Sequence, residues 1–300
     1  MKISFVIPAY NEENYIGECL ESIFKEAKDK NYDFEVIVVD NASTDNTAKI
    51  ASSYKGVKIV RESKKGLVSA RKAGFLASKG DVIANVDADT RLTKGWIDKV
   101  ISEFKDPKLA GLSGPFIYYD LPKNNNLMVK FFYYYAFSLY LLNRYVFNRG
   151  SMLQGGNFVV RRSALEKIGG FDDKHFSFYG EDADIAMRLH AAGPVKWTFS
   201  FPIYSSGRRI AAEGPFTMSS RYTLNYLWVL LFKRPFTHKV IDFRFKGVKN
   251  KLLQIQPRDM KLEWISTVYA LVILIFFPLV IIIMISYYFH SLGRTISSRY

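Results

Sequence analysis

The chain has 300 residues and a formal charge of +14, from 42 Lys+Arg against 28 Asp+Glu. Apolar residues make up 49% and aromatics 16%, enough for a core in one or two domains, which excludes a disordered basic tail. The single cysteine, Cys19, closes no internal disulfide, so the fold does not depend on an oxidising compartment.

In chain order, Ile3–Pro8 reads as a buried strand. Glu12–Lys28 reads as a helix, with Ile16, Leu20, Ile23, Phe24 and Ala27 at helical spacing. Phe34–Val39 is a continuous apolar run, which suits a strand covered on both faces. Helix Thr44–Ser53, strand Val57–Val60, helix Leu67–Ser78 and strand Val82–Val86 follow. This alternation predicts βαβ units and a mostly parallel sheet with helices on both faces. Ligands of such sheets bind beyond the carboxyl ends of the strands. Polar clusters follow three of those ends: Ala9-Tyr10-Asn11-Glu12, Asp40-Asn41-Ala42-Ser43-Thr44-Asp45 and Asp87-Ala88-Asp89. After about residue 110 the alternation fades. Leu127–Phe147 is aromatic but carries Lys130, Asn143 and Arg144, so it is an amphipathic helix on a membrane surface, one under an acceptor cleft, or a core helix. Leu224–Phe232 is similar and ends at Lys233-Arg234-Pro235.

Charge divides the chain. Residues 1–120 hold 18 basic and 18 acidic side chains, whereas residues 196–263 hold 13 basic and 4 acidic. Directly after that belt, Trp264 to Gly293 contains no Asp, Glu, Lys or Arg. Ile265–Phe289 is long enough for a membrane helix, which needs about 20 apolar residues. Trp264 and Tyr269 stand at one end and Tyr287 and Tyr288 at the other, as an aromatic belt would. Lys246, Lys249, Lys251, Arg258 and Lys261 precede the span, against Arg294 and Arg299 after it. The positive-inside rule then predicts a single-pass membrane protein with its large N-terminal part in the cytoplasm. Basic residues crowded towards such a span point to an anionic membrane face as partner, and not to nucleic acid.

Several acids are candidates for chemistry. Asp87 and Asp89 at a strand end can hold one Mg²⁺ or Mn²⁺ on hard oxygens, or they simply cap a turn. Asp40 opens either an Asx-turn or a contact to a nucleobase or ribose. Glu181 and Asp182 fall in the first turn of a predicted helix, where the macrodipole favours carboxylates and where a general base would also sit at a cleft mouth. Residue types alone do not choose among Glu181, Asp182 and Asp184. Gly155-Gly156-Asn157 and Gly169-Gly170-Phe171-Asp172 flank them as turns that allow close backbone approach. Arg208 and Arg209, in Ser206-Gly207-Arg208-Arg209, are either guanidiniums of a flexible loop closing on a diphosphate or ordinary surface charge.

The order of these motifs resembles the inverting glycosyltransferases of family 2, which have the GT-A fold. Val6-Ile7-Pro8-Ala9-Tyr10-Asn11-Glu12-Glu13 is similar to their opening strand and donor loop, and Val38-Val39-Asp40-Asn41-Ala42-Ser43-Thr44-Asp45 to their second. Ala70-Arg71-Lys72-Ala73-Gly74 resembles their Ala-Arg-Asn-x-Gly helix, with Lys72 in place of Asn. Asp87-Ala88-Asp89 resembles their metal motif, and Gly180-Glu181-Asp182 their acceptor-side acid motif. The likeness covers roughly residues 1–210.

The resemblance implies an α/β, GT-A architecture with a nucleotide-sugar-binding half over 1–120 and an acceptor half over 121–215. A basic segment (216–263), the membrane helix (264–290) and a short tail (291–300) would follow. It implies that Pro8, Tyr10 and Glu12 line the donor nucleotide, that Asp40 binds its base and that Arg71 approaches base or diphosphate. Asp87, beside Ala88, would contact ribose or a metal-bound water, and Asp89 the metal. Asp182 would be the catalytic base, with Glu181 beside it positioning the acceptor. The expected reaction transfers one sugar from a nucleotide-diphosphate sugar to a lipid or lipid-linked acceptor. No Gln-x-x-Arg-Trp motif of processive members occurs in the chain. The alternative is an inactive scaffold membrane protein that keeps the fold.

Overall fold

A computed structural model describes residues 1–236 apart from 122 and 151. The expected span 264–290, the tail and the basic belt from 237 onward lie outside the described residues. Among the described residues, no helix is long and apolar enough to cross a membrane.

The four expected strands join three that the sequence did not announce in one seven-stranded sheet. Its members are β1 (Ile3–Ala9), β2 (Phe34–Asp40), β3 (Val57–Arg61), β4 (Val82–Val86), β6 (Gly111–Ser113), β8 (Asn157–Arg161) and β9 (Val195–Trp197), in the order β3-β2-β1-β4-β8-β6-β9. All run parallel except β8, which is antiparallel to both β4 and β6. A second sheet orders β5 (Thr90–Leu92), β10 (Ile203–Ser205) and β7 (Phe116–Tyr118).

Side chains alternate faces along each strand, so the two sides of the main sheet carry different cores. Ile3, Phe5, Ile7, Val36, Val38, Ala84 and Val86 pack with buried residues of α1 (Ile16–Ala27) and α4 (Trp96–Glu103). Val6, Ile37, Val39, Ile83, Phe158 and Val160 pack with α3 (Leu67–Ala77), α6 (Arg162–Lys167) and α7 (Glu181–His190). Gly74 lets α3 settle against the sheet, because a Cβ there would lie 2.3 Å from Val6 Cγ1.

Two helices start later than their periodicity suggests. Backbone groups ahead of α1 are taken by the neighbouring loop, where Glu12 N–H donates to Thr47 Oγ1 at 2.7 Å and Glu13 N–H to Asp45 Oδ2 at 3.1 Å. Asp45 Oδ1 accepts the Thr47 N–H at 2.9 Å, which starts α2 at Thr47–Ser52. The aromatic segment forms α5 (Lys123–Leu141) and a π-helical turn, Leu142–Val146. It divides its faces: Tyr133 and Tyr140 are buried with Trp197, while Tyr134 and Tyr145 face solvent. α8 (Arg208–Glu213) and α9 (Pro215–Phe232) close the described chain, and Pro215 fits the first turn, where its missing N–H has no helical partner.

Candidate active site

Register aligns the strand ends. Ala9 pairs with Asp40 and Asp40 with Arg61, while β4 runs parallel on the other side of β1. The loops after β1, β2 and β4 therefore share one edge. The first two are tied together: Asn11 Oδ1 accepts the Thr44 N–H at 2.8 Å, and Asn11 N–H donates to Ser43 Oγ at 3.1 Å. Asn41 pins the loop after β3, donating to the carbonyls of Glu62 and Lys64 and accepting the Gly66 N–H at 2.8 Å. Tyr10 is partly exposed at this edge, with Lys65 Nζ 4.6 Å from its ring centroid. Asp40 Oδ1 accepts the Ser43 N–H at 3.1 Å, so its carboxylate builds the Asx-turn. Pro8 and Ala88 are buried in the strand and the core beneath, and present no open surface.

Because β8 runs against β4, Val86 faces Asn157, and Gly155-Gly156 arrives beside Asp87. Gly156 has φ +86°, and a Cβ on it would lie 2.2 Å from Asp87 Oδ2. Only glycine meets both constraints. A Cβ on Gly155 would sit 3.5 Å from Glu181 Oε1 and 3.6 Å from Asp182 Oδ2. The same turn therefore touches the acid after β4 and the acids that open α7.

Arg71 joins them. Its side chain is wholly buried; Nη1 donates to Glu181 Oε1 at 2.5 Å and Nη2 to Asp87 Oδ1 at 3.2 Å. Where base or diphosphate was expected near Arg71, the structure puts two carboxylates on its terminal nitrogens. Burial pushes the Glu181 carboxyl up, the neighbouring Asp182 charge adds to this, and Arg71 opposes it. Burial likewise raises Asp182, against the Ala183 N–H that donates to its Oδ1 at 2.8 Å. Asp87 is also raised by burial, with Arg71 opposing. A raised carboxyl is a better proton acceptor once ionised. Asp184 is occupied elsewhere, since Arg188 Nε donates to its Oδ2 at 2.9 Å.

A second guanidinium serves the donor loops. Arg208 Nη2 lies 2.6 Å from Glu12 Oε1 and 3.0 Å from Asp89 Oδ2. Arg208 and Arg209 begin a helix and not a loop, and Arg208 is only 7% exposed, so it is not ordinary surface charge. Arg209 Nη1 lies 3.3 Å from Tyr222 Oη and its guanidinium 4.6 Å from the Phe178 ring centroid. Tyr222 is pushed up to about 12, chiefly by burial, with the Asp182 and Glu181 charges adding.

The donor set suits a hard divalent ion shared with phosphate oxygens. A cationic nitrogen already lies at hydrogen-bond distance from Asp89, and Asp87 keeps one oxygen on Arg71. Among the described residues, no group of three or more His, Cys, Asp or Glu is arranged to hold a metal. Water and a diphosphate would have to complete its coordination, as is common for Mg²⁺.

Sequence reasoning missed Asp120 and Tyr222. Asp120 follows β7 and accepts the Ser206 hydroxyl at 2.6 Å and the Gly207 N–H at 2.5 Å. A lone acid after a short strand carries no motif. Tyr222 is one of 19 tyrosines and is set apart only by its neighbours.

Known proteins resemble this chain in sequence and in fold. A model described as glycosyl transferase family 2 matches residues 4–169, and one described as the N-terminal domain of galactosyltransferase matches 143–201. A probable glycosyltransferase, YdaM, of Bacillus subtilis is 31% identical over 204 residues, covering 64% of this chain and 47% of its own. A dolichol-phosphate mannosyltransferase of Pyrococcus furiosus is 39% identical over 110 residues, 35% of this chain and 31% of its own. The chain thus spans less than half the length of either relative. The mannosyltransferase PcManGT of Pyrobaculum calidifontis, solved with GDP-Man and Mn²⁺, superposes with a TM-score of 0.58 at 16% identity over 91% of this chain and 80% of its own, a likeness of fold. With a family match over more than half its residues and a GT-A-like, mostly parallel sheet, the chain belongs to glycosyltransferase family 2.

Proposed function

We propose that the chain is an inverting, metal-assisted glycosyltransferase that moves a single sugar from a nucleoside-diphosphate sugar to a membrane-associated acceptor. The acceptor group is a hydroxyl or phosphate of a polyprenyl phosphate, a lipid-linked glycan or a glycolipid. The observation that carries this is the Arg71 bridge, which holds the strand-end Asp87 and the helix-start Glu181 to one guanidinium beside Asp182.

Asp182 takes the proton of the acceptor hydroxyl as its oxygen attacks the anomeric carbon, and the nucleoside diphosphate leaves from the opposite face. One base and no protein nucleophile gives inversion. A phosphate acceptor arrives ionised and needs no base. Arg71 opposes the rise that burial and Asp182 impose on Glu181 and holds one of its oxygens, which leaves Asp182 as the carboxylate offered to the acceptor proton. Asp89, with Asp87 beside it, would hold a divalent metal, which when bound would supply positive charge against the leaving diphosphate. Tyr10 and the Asp40 turn face the nucleoside.

Three features support a lipid acceptor at an anionic cytoplasmic face. The excess charge precedes an uncharged stretch, Trp264–Gly293. α5 exposes aromatic side chains. A matched relative is named for a dolichol-phosphate acceptor. The anchor is then the single helix 264–290.

The test is lipid extraction after incubating membranes with a panel of labelled nucleotide sugars. Label in an acid-labile monoglycosyl phosphate assigns a polyprenyl phosphate, and label in a larger glycan assigns a lipid-linked one. Labelled sugar in no lipid fraction, with every donor tried, contradicts the proposal.

A further inference from the structure

Building on the reading of Asp89 as the metal-holding acid, we propose that Arg208 is an internal counter-cation at that acid. The guanidinium and a divalent ion compete for Asp89, and Asp120 sets how strongly Arg208 competes.

Arg208 Nη2 touches one carboxylate oxygen of Glu12 and one of Asp89 at once, at 2.6 and 3.0 Å. Glu12 is 4% exposed, so this cation neutralises charge that water cannot reach. Burial works against the Arg208 charge, yet Asp89 and Glu12 more than offset it. A guanidinium does not deprotonate in a protein, so it leaves Asp89 only by moving away as a cation. Mg²⁺ binds carboxylate oxygen at roughly 2.0–2.1 Å. A divalent ion that close to Asp89 Oδ2 would face the Arg208 charge across a single oxygen, so the ion binds well only when Arg208 withdraws.

The segment carrying Arg208 is held by side-chain bonds that can be released. Asp120 clamps the Ser206 hydroxyl and the Gly207 N–H, while Ser206 N–H donates to the Asp89 carbonyl at 3.2 Å. Gly207 lies so close to Leu121 that a Cβ would meet its Cγ at 2.3 Å. Asp120 is thus a positioning residue, acting through Ser206-Gly207. A withdrawn Arg208 has a natural partner in a diphosphate, whose geometry it matches. Metal and diphosphate then favour each other's binding beyond the metal's direct contact with phosphate.

The experiment titrates the full chain, in detergent micelles, with Mn²⁺ in the absence of nucleotide, following free Mn²⁺ by electron paramagnetic resonance. Arg208→Gln should bind Mn²⁺ about 5-fold tighter or more, and Asp120→Asn about 2-fold tighter, at the low end of ordinary coupling. Damage to the fold would lower affinity. Equal or weaker binding by a folded Arg208→Gln protein overturns the proposal.

Should Arg208→Gln not fold, the wild-type chain decides. Modification of Arg208 by phenylglyoxal, read by mass spectrometry, should rise several-fold when Mn²⁺ binds, and unchanged modification overturns the competition. The two readings fail differently. If wild-type and variant bind Mn²⁺ equally well in the presence of a nucleoside diphosphate, and the variant gains nothing without it, the competition is wrong and the metal site stands. If neither protein holds Mn²⁺ beyond what the diphosphate holds in solution, the metal reading falls and the competition with it.

Discussion

Two arginines bridge pairs of carboxylates in this molecule, and they are built differently. Arg71 projects from α3, a helix seated on the sheet through Gly74, and its partners Asp87 and Glu181 belong to β4's end and α7's start. Arg208 begins the six-residue α8 and is held down by the side chain of Asp120. One bridge is part of the framework that sets two acids at a fixed spacing. The other is a closed contact whose support a single carboxylate controls. On the competition proposed above, Arg208 is the charge that gives way to a metal ion and Arg71 is the one that stays.

Removing each guanidinium separates the two most sharply. Arg71→Met leaves Asp87 and Glu181 in place without their cation, and should destabilise the fold by about 3–5 kcal/mol in urea unfolding, with no recovery in Mn²⁺. Arg208→Met leaves Glu12 and Asp89 without their cation and should cost a similar amount, about 3–5 kcal/mol, but millimolar Mn²⁺ should restore most of its Tm. Equal recovery in both variants would erase the distinction.

Lifting α3 tests the framework without touching charge. Gly74→Ala forces a methyl into Val6 and should cost about 1–3 kcal/mol. Sugar transfer should fall in the folded fraction as well, since Arg71 rides on that helix.

The pH profile gives a third contrast. Burial raises both Glu181 and Asp182, so transfer should be lost, as pH falls, above the ordinary carboxylate values of 4.5 and 3.8. Arg71→Lys weakens the opposing charge and should move this acid limb to still higher pH, while Arg208→Lys leaves it in place. An unmoved limb in Arg71→Lys would mean that the bridge does not tune the base.

The smallest effect belongs to a counterpart whose two lysine side chains reach solvent. Asp173 accepts from Lys72 Nζ at 2.6 Å and Lys64 Nζ at 2.9 Å, and these bonds lower its carboxyl to about 2. A depressed carboxyl contributes stability above its unfolded value near 3.8, and that contribution is lost as pH falls through about 2. Asp173→Asn should cost only about 0.5–1 kcal/mol at pH 7 by thermal unfolding, because water and salt screen such pairs.

The framework was far more legible in the sequence than the exchangeable contact. Strands β1, β2 and β4 announced themselves as apolar runs because both faces of the sheet are covered. The polar clusters at their ends followed from parallel topology. Strand β8 was not legible, since the alternation fades after about residue 110 and Gly155-Gly156-Asn157 reads only as a turn, so the reason for Gly156 stayed hidden until Asn157 was found opposite Val86. Arg71 was visible within a motif, but its partner Glu181 is 110 residues away and only the fold brings them together. Arg208 was visible as a cation, and its burial was not, because that depends on Glu12 far back in the chain. Asp120 had no pattern to mark it. Residue types did not choose among the three neighbouring acids; the resemblance implied Asp182, and the fold adds that Glu181 and Asp184 are each committed to an arginine.

The most direct measurement compares wild type with Asp182→Asn for transfer of labelled sugar from a nucleotide sugar into lipid-extractable product. Mn²⁺-dependent donor binding is followed in parallel by thermal shift. Loss of a positioned base should lower transfer by about 100-fold or more, with donor binding and Tm retained. Transfer that survives in a folded Asp182→Asn protein would contradict Asp182 as the base and, with it, the acid centre assembled around Arg71.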